Sequence, residues 1–229
     1  MPAERRLRPA FAIVGAVAIA IAVVTVILLF GIRQPPSFPN VADERDERLA
    51  GRIAYVQEED SRSCVVVVDL PQMDRHEVVC GDESDWYGQD VWWSRDGDLE
   101  VVLYEQDGPF IATFDPVTGA ELDRRVQTVD DGPVYEDVWT TIRPRDGAEL
   151  TWYSDDGSVE VQLTVGERER TLLSARGPRD YSLWDVSWSP DGGWAMVSDS
   201  EGRLLVVAAT SPLATLLVAD DAHSAAWGR

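Results

Sequence analysis

The sequence predicts an all-β domain: a β-propeller of four four-stranded blades. Three observations predict it. First, a short pattern recurs at Asp90-Val91-Trp92-Trp93, Asp137-Val138-Trp139-Thr140 and Asp185-Val186-Ser187-Trp188, with a degenerate copy at Ser224-Ala225-Ala226-Trp227. The spacings are 47, 48 and 39 residues, periods that suit propeller blades. Second, the first three copies run into WSRDG (93–97), RPRDG (143–147) and WSPDG (188–192). Asp-Gly supports the positive φ angles of tight hairpin turns. Third, the two ends of the repeat region complement each other. The first unit lacks an inner strand, and HSAAWGR (223–229) is an inner strand with nothing after it. Pairing the two completes the first blade and covers an exposed strand edge.

The elements follow in order. Residues 1–10 carry Arg5, Arg6 and Arg8, and residues 11–32 form a run of 22 residues without a charge. That length spans a hydrocarbon core of ~30 Å as a helix. The arginines on its N-terminal side predict a cytoplasmic tail at 1–10 and a transmembrane signal anchor at 11–32. A cleaved signal peptide is the competing reading, but its apolar region is usually shorter and no A-x-A-like site follows the run. Residues 33–51 read as an extended, solvated linker rich in proline and alternating charge. The propeller domain is 52–229, and its expected location is outside the cytoplasm.

In the first unit, RIAYVQE (52–58), CVVVVDL (64–70) and HEVVC (76–80) match strands two to four of a blade. The turn falls at Pro71–Asp74, so Cys64 and Cys80 face each other across a hairpin. Directly opposed residues have the close spacing a disulfide needs. The later units repeat short β-branched runs: DLEVVLYE, PFIATFD and AELDRRV; AELTWYS, VEVQLTV and RTLLSA; GWAMVSDS, RLLVVAA and ATLLVAD. Evenly spaced runs between turn residues signal strands.

WSPDG followed by an apolar strand resembles the WD40-like repeats of TolB-type β-propellers. The resemblance covers residues 51–229. WSPDG (188–192) matches well and WSRDG (93–97) closely; RPRDG lacks the tryptophan. It implies a partner-binding scaffold without naming the partner. Relatives often have more blades, so an open arc that dimerises is the alternative to a closed ring.

Charge narrows the partners. The formal net charge is −21 and the chain has no lysine. A field of one sign on this scale disfavours nucleic acid and anionic lipid surfaces. Nucleophile-elbow, HExxH, phosphate-loop, paired CxxC and G-x-G-x-x-G motifs are absent, and the two histidines, His76 and His223, have no recognisable catalytic partner.

Two clusters stand out. Asp90, Asp137 and Asp185 occupy one place early in three inner strands, with Ser224 in the fourth. A ring of carboxylates at a channel mouth suits a hard cation such as Ca²⁺. Alternatively, each aspartate accepts hydrogen bonds from its own blade. Trp86, Tyr87, Tyr135, Tyr181 and Trp184 fall in connections leading to inner strands, and aromatic side chains beside acids make a recognition surface. Packing at the blade edges is the other reading of these aromatics. The reading that follows is a non-catalytic, membrane-anchored scaffold binding a protein, peptide or envelope component. The alternatives are an envelope-acting hydrolase or lyase, and the ectodomain of a membrane sensor complex.

Overall fold

The computed structural model describes residues 41–42, 46–59, 61–82, 87–105, 108–128, 140–143 and 145–229. The apolar run at 11–32 lies outside them. Among the described residues no helix is long and apolar enough to cross a membrane.

The described chain is all β. A two-residue strand β1 (Val41–Ala42) precedes blade one, which holds β2 (Gly51–Glu59), β3 (Arg62–Leu70) and β4 (Asp74–Asp82). Blade two is β5 (Tyr87–Trp93), β6 (Leu99–Glu105), β7 (Gly108–Phe114) and β8 (Glu121–Val126). Blade three is β9 (Thr140–Ile142), β10 (Glu149–Asp155), β11 (Ser158–Val165) and β12 (Arg168–Arg176). Blade four is β13 (Leu183–Trp188), β14 (Trp194–Asp199), β15 (Leu204–Ala208) and β16 (Thr215–Ala219). The last strand, β17 (Ala222–Gly228), returns to blade one and pairs with β2, from Ala222 opposite Gln57 to Gly228 opposite Arg52. Blade one is thus stitched from both ends, as the complementary termini predict. Asp137, expected early in the third inner strand, lies outside the described residues.

Strand alternation explains the core. In β2, Ile53 and Tyr55 pack toward blade four, while Ala54 and Val56 pack toward blade two. In β14, Trp194 and Met196 face blade one, and Ala195 and Val197 face blade three. These strands are covered on both faces, so they read as continuous apolar runs. Blade three differs. Leu150, Val161 and Leu163 pack toward blade four. Its other face carries a polar network in which Tyr153 donates to Glu160 at 2.6 Å, Thr171 donates to Glu160 at 2.6 Å and Gln162 donates to Tyr153 at 3.2 Å. That is the alternation of a half-buried sheet. Among the described residues, no core cluster joins blade two to blade three.

The linker expectation needs correction at its C-terminal part. β1 pairs in parallel with β16, Val41 opposite Thr215 and Ala42 opposite Leu216. Leu49, the large apolar residue after the acidic-basic run, is buried in the core between blades one and four. Arg48 lies over the Trp194 ring at 5.3 Å and is held by Asp46. One leucine is enough to seat a segment whose composition otherwise reads as solvated.

Cys64 and Cys80 are directly opposed and bonded, with a Cα–Cα distance of 4.1 Å. The hairpin does not reach this register on its own. From Asp69↔Asp74 to Val66↔Glu77 the pairing would bring Cys64 opposite Val79. A bulge after Val65 leaves Val78 unpaired and moves Cys80 into place. The disulfide closes a short loop, so Cys64→Ser with Cys80→Ser is expected to cost about 3 kcal/mol. Guanidinium melts of oxidised, reduced and doubly substituted protein check this: the last two should coincide below the first.

Candidate functional site

Each blade has two ends. Turns from inner strand to second strand, and from third to fourth, share one end with the Asp-Gly sequences. Turns from second to third strand share the opposite end with the starts of the inner strands.

At the inner-strand starts, the structure brings residues of three blades together. The Ser224 hydroxyl of β17 donates to Asp90 Oδ1 of β5 at 3.3 Å. The Trp184 ring of β13 stacks on His223 of β17, with centroids 6.4 Å apart and an interplanar angle of 29°. His223 Nε2 lies 3.6 Å from Glu58 Oε2. Trp184 and His223 each stand one residue before the aspartate position of their repeat, a signal that aligning the repeats would have exposed.

Asp185 is accessible to solvent, yet burial pushes its carboxyl pKa above the usual range, partly offset by the Val186 N–H that it accepts. The hydrogen bond from Val186 is the own-blade contact weighed above. Asp137 lies outside the described residues, so two of the three expected carboxylates are placed. Among the described residues, the ligand-type atoms close enough for one metal belong to Cys64, Glu77 and Cys80, and those sulfurs are bonded to each other.

An acid whose pKa is raised by folding costs stability once it ionises. Below the unfolded value of 3.8 the group is protonated in both states and costs nothing. As pH rises through the raised folded value, the cost grows to a plateau. Asp185→Asn is therefore expected to melt at or above wild type at neutral pH, with the advantage vanishing in acid. Thermal melts across that range check it.

The expected aromatic surface is only partly placed. Trp184 is 50% exposed. Tyr181 is instead a core residue. Its hydroxyl donates to the fully buried Asp199 at 3.0 Å, and Arg203 lies over its ring at 5.6 Å. Burial, then the Asp199 charge, pushes its pKa well above the usual tyrosine value. Tyr87 lies in β5 opposite Tyr104. Trp86 and Tyr135 lie outside the described residues.

The Asp-Gly end is built from the repeat tryptophans. Trp93 of blade two donates its indole N–H to Ala226 O of blade one at 3.1 Å, and Arg52 of blade one lies over its ring at 4.7 Å. Trp188 of blade four donates to Thr141 O of blade three at 3.4 Å, and Arg143 of blade three lies over its ring at 4.8 Å. Both seams use one device: an indole hydrogen bond plus an arginine from the neighbouring blade on the ring face. Arg143 is also the residue that replaces tryptophan in RPRDG. It donates to Asp146 through Nε and Nη2 and to Gly192 O at 2.6 Å. A Cβ on Gly192 would collide with it, and the φ of 69° there favours glycine as well. In WSPDG, Ser189 is buried. Its hydroxyl donates to Asp191 at 2.6 Å and accepts the Trp194 N–H at 3.0 Å. That serine locks a turn.

Two recesses open at this end. One of about 490 Å³ is lined by Trp93, Arg95, Trp188, Trp227 and Arg229 among others. A groove of about 1080 Å³ between blades three and four includes Arg143, Val165, Arg168, Arg170 and Ser211.

Comparison with known protein families finds no match, and neither does comparison with curated proteins. Solved structures do align. TolB from Acinetobacter baumannii is 19% identical over 72% of this chain and 41% of that chain, with a TM-score of 0.27. The β-propeller domain of Myceliophteria thermophila Cps50 (Swd1) is 14% identical over 80% of this chain and 60% of that chain, with a TM-score of 0.26. The chain spans about half the length of these structures. Superpositions this loose transfer no residue, ligand or partner, and the blade assignment rests on the strand pairing above.

Proposed function

We propose that this chain is a single-pass membrane protein whose four blades form a small extracytoplasmic β-propeller that binds a protein, peptide or envelope component without catalysis. The observation that carries the proposal is the meeting of Trp184, His223, Glu58, Ser224 and Asp90, from three blades, at the starts of the inner strands. An exposed indole beside carboxylates favours a segment bearing a basic or aromatic side chain, which the ring face and the acids can hold together. The uncharged run at 11–32 after three arginines supports the anchor and the orientation.

A photo-crosslinking residue placed at position 184 of the full chain in its native membrane tests the binding reading. A discrete adduct is expected, and Asp90→Asn should weaken it. If position 184 gives no adduct, and a probe at position 223 gives none either, the scaffold reading fails. Reporter fusions active only outside the cytoplasm test the orientation separately.

A further inference from the structure

We infer that blade one carries a redox-gated metal site. Once reduced, Cys64 and Cys80 join Glu77 in binding one Zn²⁺, and re-forming the disulfide expels it.

The first observation is what the bulge after Val65 does to side-chain directions. Glu77 and Cys80 are three residues apart, so a regular strand would send them to opposite faces. Here Glu77 stands opposite Val66, and Cys80 stands opposite Cys64. Cys64 and Val66 both belong to the cluster between blades one and four. Val78 and Val79, the two residues between Glu77 and Cys80, both pack toward blade two. The bulge thus turns Glu77 and Cys80 to one face. As a result the two sulfurs and a Glu77 carboxylate oxygen lie within 4.8 Å of one another. The disulfide needs only Cys80 to be re-aimed, and bulges re-aim side chains beside functional sites.

The second observation is a contact that the oxidised pair does not use. Glu77 Oε2 lies 3.2 Å from Cys80 Sγ. A disulfide sulfur has no proton to donate, so the carboxylate gains no hydrogen bond there. A free thiol would donate to that oxygen, and a cation would be ligated by both atoms. The same oxygen lies 3.5 Å from Arg62 Nη2. Ligating carboxylates are oriented by outer partners of this kind.

The third observation is room and charge. A recess of about 280 Å³ is lined by Gln57, Glu59, Arg62, Cys64, Glu77 and Asp82. It lets the sulfurs part to the ~3.8 Å that two Zn–S bonds of about 2.3 Å at a tetrahedral angle require. Its three carboxylates outnumber its one guanidinium, which favours a cation. Thiolates select Zn²⁺ over the harder Ca²⁺ and Mg²⁺. Two sulfurs and one carboxylate leave a fourth position for water.

The gate needs a dithiol reductant. One of its thiolates attacks Cys80 Sγ, and Cys64 Sγ leaves with the electron pair of the S–S bond. The second sulfur of the reductant then displaces Cys80 and closes the reductant's own disulfide. Two electrons and two protons pass to Cys64 and Cys80. Zn²⁺ binding releases both protons to solvent.

The test uses the full chain in detergent, reduced with a phosphine and freed of the reagent. Titration with Co²⁺ should give one ion per chain and the near-ultraviolet absorption of thiolate-to-cobalt charge transfer, which Zn²⁺ then removes. The oxidised chain should give no such absorption. Glu77→Ala keeps both thiolates and should weaken Zn²⁺ at least about tenfold. In chelator the reduced chain should melt with the chain carrying Cys64→Ser and Cys80→Ser; Zn²⁺ should raise the melting temperature of the reduced chain alone. A low-molecular-weight disulfide added to the Zn²⁺-loaded chain should release the ion to a chromogenic chelator.

Reduced and oxidised chains that bind Co²⁺ alike, without charge transfer, would overturn the site. Unchanged affinity in Glu77→Ala would also overturn it, because thiols in an unfolded hairpin would then account for the binding. So would a reduced chain that loses its near-ultraviolet circular dichroism and does not regain it with Zn²⁺. Zn²⁺ retained after the disulfide re-forms would overturn the gate. A photo-crosslinked adduct at position 184 is indifferent to all of these results, so the two readings fail separately.

Discussion

Deleting residues 222–229 is expected to abolish the cooperative unfolding transition. The deletion removes every ladder partner of β2 on its inner side, from Gln57 to Arg52. It takes Ala222 out of the core between blades one and four, together with Trp227 and Ala225 packed against it. It also removes the carbonyl of Ala226 that fixes Trp93. The exposed strand would be GRIAYVQEE, whose centre is buried on both faces. The loss is comparable with the whole stability of a domain, about 5–15 kcal/mol. Near-ultraviolet circular dichroism and limited proteolysis check it. A melt as sharp and as high as wild type would show that β17 does not hold blade one together. Trp93→Phe serves as a graded control. It removes one indole hydrogen bond and should cost about 1 kcal/mol.

Asp199→Ala is the second large effect, expected to cost about 3–5 kcal/mol because it leaves a guanidinium without its partner in a mostly buried site. Asp199 is fully buried. It accepts Arg203 Nε at 3.0 Å and Nη2 at 2.8 Å, the Tyr181 hydroxyl at 3.0 Å, and the backbone N–H groups of Glu201 and Arg203 at 2.9 and 3.0 Å. One carboxylate thus closes the β14–β15 turn and ties it to the connection before β13. Tyr181→Phe should cost about 1.5–3 kcal/mol, since it removes a hydroxyl that donates to the Asp199 carboxylate and accepts Arg203 Nη2 at 3.3 Å. Adding Tyr181→Phe to Asp199→Ala should cost less than Tyr181→Phe alone, because the hydrogen bond between the two is already gone and only the one from Arg203 remains. Urea denaturation of the three variants checks both statements. Full additivity would show that Tyr181 and Asp199 act separately.

These two sites mark the limits of the sequence as a guide. The strands, the Asp-Gly turns and the return of β17 were legible because each leaves a local mark: a period, a dipeptide, an unpaired half-blade. Trp188 as a residue joining blades was legible for the same reason. Tyr181 was not. It lies in a connection that reads as surface, and its partner comes 18 residues later, where Asp199 reads as one more acid among many. The Cys64–Cys80 pairing was legible, but the bulge at Val78 that delivers it was not, since nothing in HEVVC marks one residue as unpaired. Arg143 read as a lapse in the repeat. Its place on the Trp188 ring shows a replacement that keeps a flat, hydrogen-bonding group at that position, joined now to blade four. The candidate site was half legible: Asp90 and Ser224 meet as the repeat alignment implies, whereas His223 was passed over because it has no catalytic partner.

The pairing of β2 with β17 also sets the order in which the molecule can be made. Ala54 and its partner Ala226 are separated by nearly the whole domain. At synthesis rates of roughly 5–20 residues per second, β2 waits on the order of ten to thirty seconds for its neighbour. For that time one of the most apolar strands in the chain has an open edge, the kind that recruits other chains. The later blades, whose hairpins are local, can form meanwhile; the first blade to emerge is the last to finish.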